Sequence, residues 1–268
     1  MTSHIKVNYK VNGVQVSRIY AVTDDIWREQ FGRHVEGKDL QVWLETRGCQ
    51  LDSSDGPALV RRGADGSTRR AYYRNGALHR EDGPALIVRD ADGSTYEAYY
   101  LYDQLSREDG PAVVKHNADG STLEMYYRAG KAHREDGPAI VKHNTDGSTD
   151  KVYYRDGKCH REDGPASATL YADGRTSEGF YRDNKPHRAD GPAIVQHNAD
   201  GSTLEMYYRN GVLERMKNTY EALSTGLLLP PVNGGPEAID AILREAIADQ
   251  STPVRSCTRE YVLLPLWP

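Results

Sequence analysis

Near its start the chain alternates apolar and polar residues with a period of two. Ile5, Val7, Tyr9 and Val11 are apolar, Asn12-Gly13 interrupts, and Val14 and Val16 resume the alternation. Asn-Gly accepts the positive φ of a type I′ turn, so this segment predicts a β-hairpin. Thr23-Asp24-Asp25 then offers N-cap oxygens, and Trp27, Phe31 and Val35 fall four apart. That spacing predicts a short helix from about Asp25 to His34. Leu40, Val42 and Leu44 return to period two and predict a further strand. Residues 1–50 thus read as a ββαβ cap.

From residue 51 the pattern repeats. Asp-Gly-Pro-Ala recurs with its Asp at 55, 82, 109, 136, 163 and 190, a spacing of 27. His79-Arg80-Glu81-Asp82-Gly83-Pro84-Ala85 is copied letter for letter at 133–139 and 160–166. The copy at 187–193 has Ala189 for Glu, and that at 106–112 has Ser106 for His. Fixed self-similarity at this period marks a repeat architecture. Within one unit, 138–143 reads as a strand, 145–148 as an Asp-Gly-Ser turn, and Thr149 to Arg155 as the returning strand, ended by Asp156-Gly157. Two short connections per unit imply an antiparallel meander. Each unit advances the sheet by roughly 10 Å, so six give a ribbon on the order of 60 Å. Asp-Gly-Ser turns then line one edge and His-Arg-Glu-Asp corners the other.

The predicted fold class is mainly β: a single-layer antiparallel meander of six hairpin repeats over 51–215, with small α/β caps at both ends. In residues 216–268 the repeat is lost. Met216 to Leu229 reads as a helix or cap, and 228–236 as a Pro/Gly linker. Ala238, Ile239, Ile242, Leu243, Ala246 and Ile247 recur at helical spacing. The apolar stretch Tyr261 to Pro268 reads as a cap folded back on the array or as a subunit or partner contact.

Composition narrows the function classes. Hydrophobic content is 38% and mean hydropathy −0.73, low for 268 residues, so a thick two-layer core is not expected. The 18 Tyr against two Phe suit a thin sheet, since Tyr covers apolar surface and keeps its hydroxyl wet. Net charge is −5 with no basic run, which disfavours nucleic acid and anionic membranes as partners. Cys49, Cys159 and Cys257 are an odd, scattered set without CxxC, and predict a reducing, cytoplasmic setting rather than a disulfide framework. There is no signal-peptide pattern at the start and no apolar run long enough for a bilayer.

Asp119-Gly120-Ser121, followed by Tyr126-Tyr127-Arg128, Gly130-Lys131 and His133, resembles the MORN repeat. It is more similar still to the MORN-like bacterial repeats of YwqK-type antitoxins, in which Tyr-Tyr and Asn-Gly recur. The resemblance covers about Asp55 to Arg215. It departs from plain MORN in having Arg-Glu-Asp-Gly-Pro-Ala where Gly-x-Gly would follow the His. The resemblance implies a β-hairpin array with a binding or scaffolding role.

The histidines at 79, 133, 160 and 187 invite a metal reading. Equivalent residues one unit apart sit roughly 10 Å apart, whereas zinc needs its ligand nitrogens at about 2.0–2.1 Å. Structural hydrogen bonding is the expectation, and Ser106 fits it, because a hydroxyl replaces a hydrogen bond but not a ligand. The paired aromatics Tyr72-Tyr73, Tyr99-Tyr100, Tyr126-Tyr127, Tyr153-Tyr154, Phe180-Tyr181 and Tyr207-Tyr208 place one column on each face. No phosphate loop, GxSxG or HExxH occurs, and neither metal, cofactor nor catalytic residues are expected. Candidate partner-binding residues are Arg80, Glu81, Arg107, Arg134 and Glu135 on the corner row. Leu101, Tyr102, Ser106, Tyr171 and Phe180 are added where units break the pattern, with Leu264 and Trp267 in the tail. The expected function is a non-enzymatic inhibitor that neutralises a toxin, defence or effector protein, of the antitoxin, immunity or phage counter-defence kind. A MORN-like scaffold for membrane or cytoskeletal partners is the alternative, a hydrolase using the His and Asp rows the third, and a homo-oligomer through the C-terminal segment stays open.

Overall fold

The structure is a computed structural model that describes residues 2–23 and 49–219. The expected helix at 25–34, the strand over 40–44 and everything beyond Thr219, including Leu264 and Trp267, lie outside the described residues. The first hairpin forms as read, with β1 (Thr2–Val11) and β2 (Val14–Thr23) paired around Asn12 and Gly13 at φ 49° and 79°. β3 (Cys49–Leu51) and β4 (Leu59–Arg62) both pair with β1, one beyond the other. From β4 the chain runs as a meander through β5 (Thr68–Ala71) and two strands of each later unit, ending at Val212–Thr219. Fifteen strands follow one another along this antiparallel sheet, which does not close. Fourteen intervals of about 4.8 Å make it roughly 67 Å long.

The returning strand differs from its sequence reading. It breaks at the first aromatic of each pair. In unit 138–164, Thr149–Val152 stays in the long sheet, whereas Tyr154–Arg155 pairs with Lys158–Cys159 in a small hairpin of its own. β6 (Tyr73–Arg74) and β7 (Ala77–Leu78) are the first of five such hairpins among the described residues. A unit therefore has four short strands where two were expected. The break is a one-residue crease. Tyr153 still donates its N–H to the Ala166 carbonyl across the sheet, while its own carbonyl takes the His160 N–H. In the last unit the crease shrinks to a bulge between Tyr207 and Tyr208 in one strand, Thr203–Arg209. Met216, expected to open a helix or cap, lies instead in the final strand opposite Met206.

The hairpins stack into a second row. The Gly130 N–H donates to the Leu105 carbonyl one unit back, and the Arg107 N–H to the Tyr127 carbonyl one unit on, with equivalents along the array. Both ladders thus propagate by nearest-neighbour contacts.

The core lies along the crease. On the inner face Leu59, Ala71, Leu86, Ala98, Val113, Met125, Ile140 and Val152 are cross-strand neighbours in one register row, all buried. Tyr73, Leu105, Cys159 and Tyr181 from the hairpins join this cluster. On the outer side, each Ala of Gly-Pro-Ala falls in register between aromatics of successive units. Tyr72, Tyr99, Tyr126, Tyr153 and Phe180 donate their N–H groups to Ala85, Ala112, Ala139, Ala166 and Ala193. All six alanines from Ala58 to Ala193 are 0% exposed. Each is fully enclosed, so the site holds a methyl and the Ala recurs for packing.

Candidate binding surface

The conserved letters of the corner serve the fold first. Arg80, Arg107, Arg134, Arg161 and Arg188 hold their guanidinium carbons 3.9–4.1 Å from the ring centroids of Tyr72, Tyr99, Tyr126, Tyr153 and Phe180. Each also donates from Nη1 to the carbonyl of its own motif's Pro, at 3.2–3.4 Å. Arg80 and Arg161 add Nε bonds to Asp82 and Asp163 at 2.8 and 2.9 Å, which hold both carboxyls below the ordinary carboxylate range. The following Gly makes room: a Cβ at Gly83 would stand 2.9 Å from the Arg80 Cζ. Arginine suits this place because its planar fork stacks and donates together. The candidates Arg80, Arg107 and Arg134 are therefore engaged within their own units.

The histidine position behaves as expected of a hydrogen-bond site. His133, His160 and His187 accept at Nδ1 from the backbone N–H of Asp156, Asp183 and Asn210 in the next unit, at 3.1, 3.4 and 3.1 Å. Ser106 takes the Ala129 N–H at 3.4 Å, and Asp52, at the same place in the first unit, takes the Asn75 N–H at 3.0 Å. Three residue types share one task, tying each hairpin turn to its predecessor. His79 departs from this, with Nε2 3.3 Å from Glu81 and its ring 4.2 Å from Tyr102. Among the described residues no three His, Cys, Asp or Glu side chains gather as a metal site. Cys159 is fully buried and disulfide-bonded. That bridge departs from the reading of the odd cysteine set.

The glutamates and the rule-breaking positions face outward. Glu81, Glu135 and Glu162 are 69–72% exposed and pair with Arg74, Arg128 and Arg155, seven residues earlier, at 3.0–3.3 Å. The hydrogen bond from Arg128 holds the Glu135 carboxyl low, helped by His133. Three units break this pairing, the last by having Met216 at the Glu place after Arg209, which lies 3.7 Å from Glu214 instead. Leu101 replaces the Arg, leaving Glu108, and Ala189 replaces the Glu, leaving Arg182. Leu101 and Tyr102 are 39% and 59% exposed. Tyr102 and Asp103 occupy a turn at φ 49° and 62°, where other units place Asn-Gly, Asp-Gly, Ala-Gly or Asp-Asn. Asp103 compensates by accepting the Leu78 N–H at 2.8 Å, and Asn184 repeats this with Cys159 at 2.7 Å. Tyr171 stands apart at the opposite edge, under Arg175 at 4.7 Å and next to exposed Leu170. Phe180 lies beneath Arg188. Leu101, Tyr102, Glu81 and Glu135 thus share the hairpin row, and Tyr171 does not join them.

Along the Asp-Gly edge, five turns use one device. Asp65, Asp92, Asp119, Asp146 and Asp200 accept the N–H two residues on, from Ser67, Ser94, Ser121, Ser148 and Ser202, at 2.8–2.9 Å. These serines hold the carboxyls of Asp65, Asp92, Asp119 and Asp200 low. Between the edges runs a feature the sequence reading missed. On the outer face Val60, Ile87, Val114, Val141, Ala168 and Val195 alternate in one register row with Arg70, Glu97, Glu124, Lys151, Glu178 and Glu205. Apart from buried Val195 the aliphatics are half-exposed. Residue two of each four-residue strand, repeating at 27, carried that signal in the sequence.

No family model matches the chain, and no curated protein matches it. Among solved structures, it is similar at 15% identity to the TCP10 domain of Danio rerio CPAP in complex with a peptide of Danio rerio STIL. That similarity covers 63% of this chain and 77% of that one, with a TM-score of 0.27.

Proposed function

We propose that the chain is a non-enzymatic protein-binding repeat protein. Its task is to neutralise a partner protein, as an inhibitor of the antitoxin, immunity or phage counter-defence kind. The supporting observation is the outer-face row, an aliphatic and a charged side chain alternating strand by strand along the whole sheet. The stacked arginines and bonded histidines are absorbed by the fold, so contact falls to this row and to the copies that break the pattern. Apolar positions framed by fixed charges are the composition of a protein-binding surface with built-in register.

The test is affinity capture with the tagged full chain, followed by mass spectrometry. A stoichiometric protein partner is expected, lost when Val114 and Val141 are replaced by Glu and kept when exposed Lys131 is replaced by Ser. Recovery of no stable protein partner, together with binding to anionic liposomes, would overturn the inhibitor reading in favour of a MORN-like membrane scaffold.

A further inference from the structure

The hairpin row carries a charge pattern that is complementary to itself. Its in-chain pairs are Arg74–Glu81, Arg128–Glu135 and Arg155–Glu162, and Arg209 lies 3.7 Å from Glu214. Between the first two pairs stands Glu108 without an arginine, because the arginine's place is taken by Leu101. Between the last two stands Arg182 without a glutamate, because that place is taken by Ala189. Read along the row, the order is pair, lone acid, pair, pair, lone base, pair. The midpoint falls between the units of Arg128 and Arg155. A half-turn about that midpoint lays each completed pair on a completed pair, and the lone acid on the lone base.

We propose that two copies of the chain associate side by side through their hairpin rows about this two-fold axis, with Glu108 of each copy against Arg182 of the other. Such an isologous contact requires a self-complementary patch, and the row is one. The two contacts lie three units apart, roughly 30 Å, a spacing the rigid array fixes. The substitutions that break the in-chain pairs also suit the interface. Leu101, 39% exposed, and Tyr102, 59% exposed, supply apolar surface beside Glu108. Ala189 removes the in-chain carboxylate from the side of Arg182, and Arg209 donates to the Ala189 carbonyl at 3.4 Å, adding positive charge toward an incoming carboxylate. At the dyad, Arg128 and Arg155 approach with their charges balanced by Glu135 and Glu162, while exposed Lys131 of one copy comes near Lys158 of the other, which lies 3.7 Å from Asp183. A parallel arrangement offset by three units makes only one of the two contacts, whereas the half-turn makes both at once. Exposed ion pairs contribute little alone, so Leu101 and Tyr102 supply affinity and the charges set register and orientation.

The experiment is sedimentation of the purified full chain over a concentration series, with Glu108→Arg, Arg182→Glu and the double reversal alongside. The wild type is expected at twice the 29.9 kDa chain mass. Each single reversal places like charges together twice and weakens association at least tenfold. The double reversal restores it. Both substituted positions are exposed, and circular dichroism checks that the fold is kept. A wild-type chain that stays at 29.9 kDa throughout overturns the proposal. So does a dimer indifferent to the single reversals, or a double reversal that fails to recover it.

Discussion

The corner geometry makes a quantitative prediction at Gly83. A Cβ there would stand 2.9 Å from the Arg80 Cζ and 3.2 Å from Nε and Nη1. Arg80 is not free to withdraw. Its guanidinium lies 4.1 Å from the Tyr72 centroid, and it bonds Asp82 at 2.8 Å and the Pro84 carbonyl at 3.3 Å. Yielding to the methyl gives up the stack, worth about 0.5–1 kcal/mol when exposed and about 2 when desolvated. Gly83→Ala should therefore cost about 1–2 kcal/mol. The backbone is not the reason, since Gly83 lies outside the positive-φ glycines. Once Arg80→Ala has removed the obstacle, the same Gly83→Ala should turn neutral or stabilise by about 0.4–1 kcal/mol through the unfolded chain. A double-mutant cycle by urea denaturation, backed by amide exchange at Tyr72 and His79, should show coupling of about 2 kcal/mol. Additivity within about 0.3–0.5 kcal/mol would refute the stacked corner.

Three further outcomes follow from the same contacts. His133→Ser should be tolerated, because Ser106 performs the same bond, whereas His133→Leu strands the Asp156 N–H and costs about 0.5–1.5 kcal/mol in denaturation. Ala139→Val should cost about 1–3 kcal/mol by overpacking a fully enclosed site. Ser121→Ala should raise the Asp119 titration toward its ordinary 3.8, read by carboxyl NMR. Because the folded value is depressed, this turn's stabilisation is present above 3.8 and fades as pH falls through the lowered value; the variant should lose less on acidification.

Much of the array was legible because repetition turns local rules into a global one. Asn12-Gly13 and the Asp-Gly-Ser turns gave the hairpins, and two short connections per unit gave the meander with its two edges. Ser106 in a histidine column disclosed a hydrogen-bond acceptor. The crease was not legible. Apolar alternation runs straight through it, from Ala71 on the inner face to buried Tyr73, so period two carries no mark of a bend. What holds the bend is a stack between Tyr72 and Arg80, eight residues apart, and the backbone bond from Tyr72 to the fully buried Ala85. Neither contact has a hydrophobic period. The corner arginines offered as partner contacts are engaged within their own units for the same reason.

The deviant units show where single-letter comparison runs out. Leu101 and Ala189 depart from different letters of the repeat and lie 88 residues apart. As letters they are unrelated. The hairpin brings position seven back beside position zero, as Arg74 and Glu81 show at 3.0 Å. Only then are Leu101 and Ala189 the opposite halves of one missing pair. The strained turn at Tyr102, φ 49°, sits at the first of these breaks, with its ring 59% exposed. A tyrosine in a left-handed turn costs stability that Asn or Gly would not, roughly 1–3 kcal/mol. Leu101→Arg with Tyr102→Asn should thus raise the denaturation midpoint while weakening self-association, since the same substitutions would complete the unit and close the surface it leaves open.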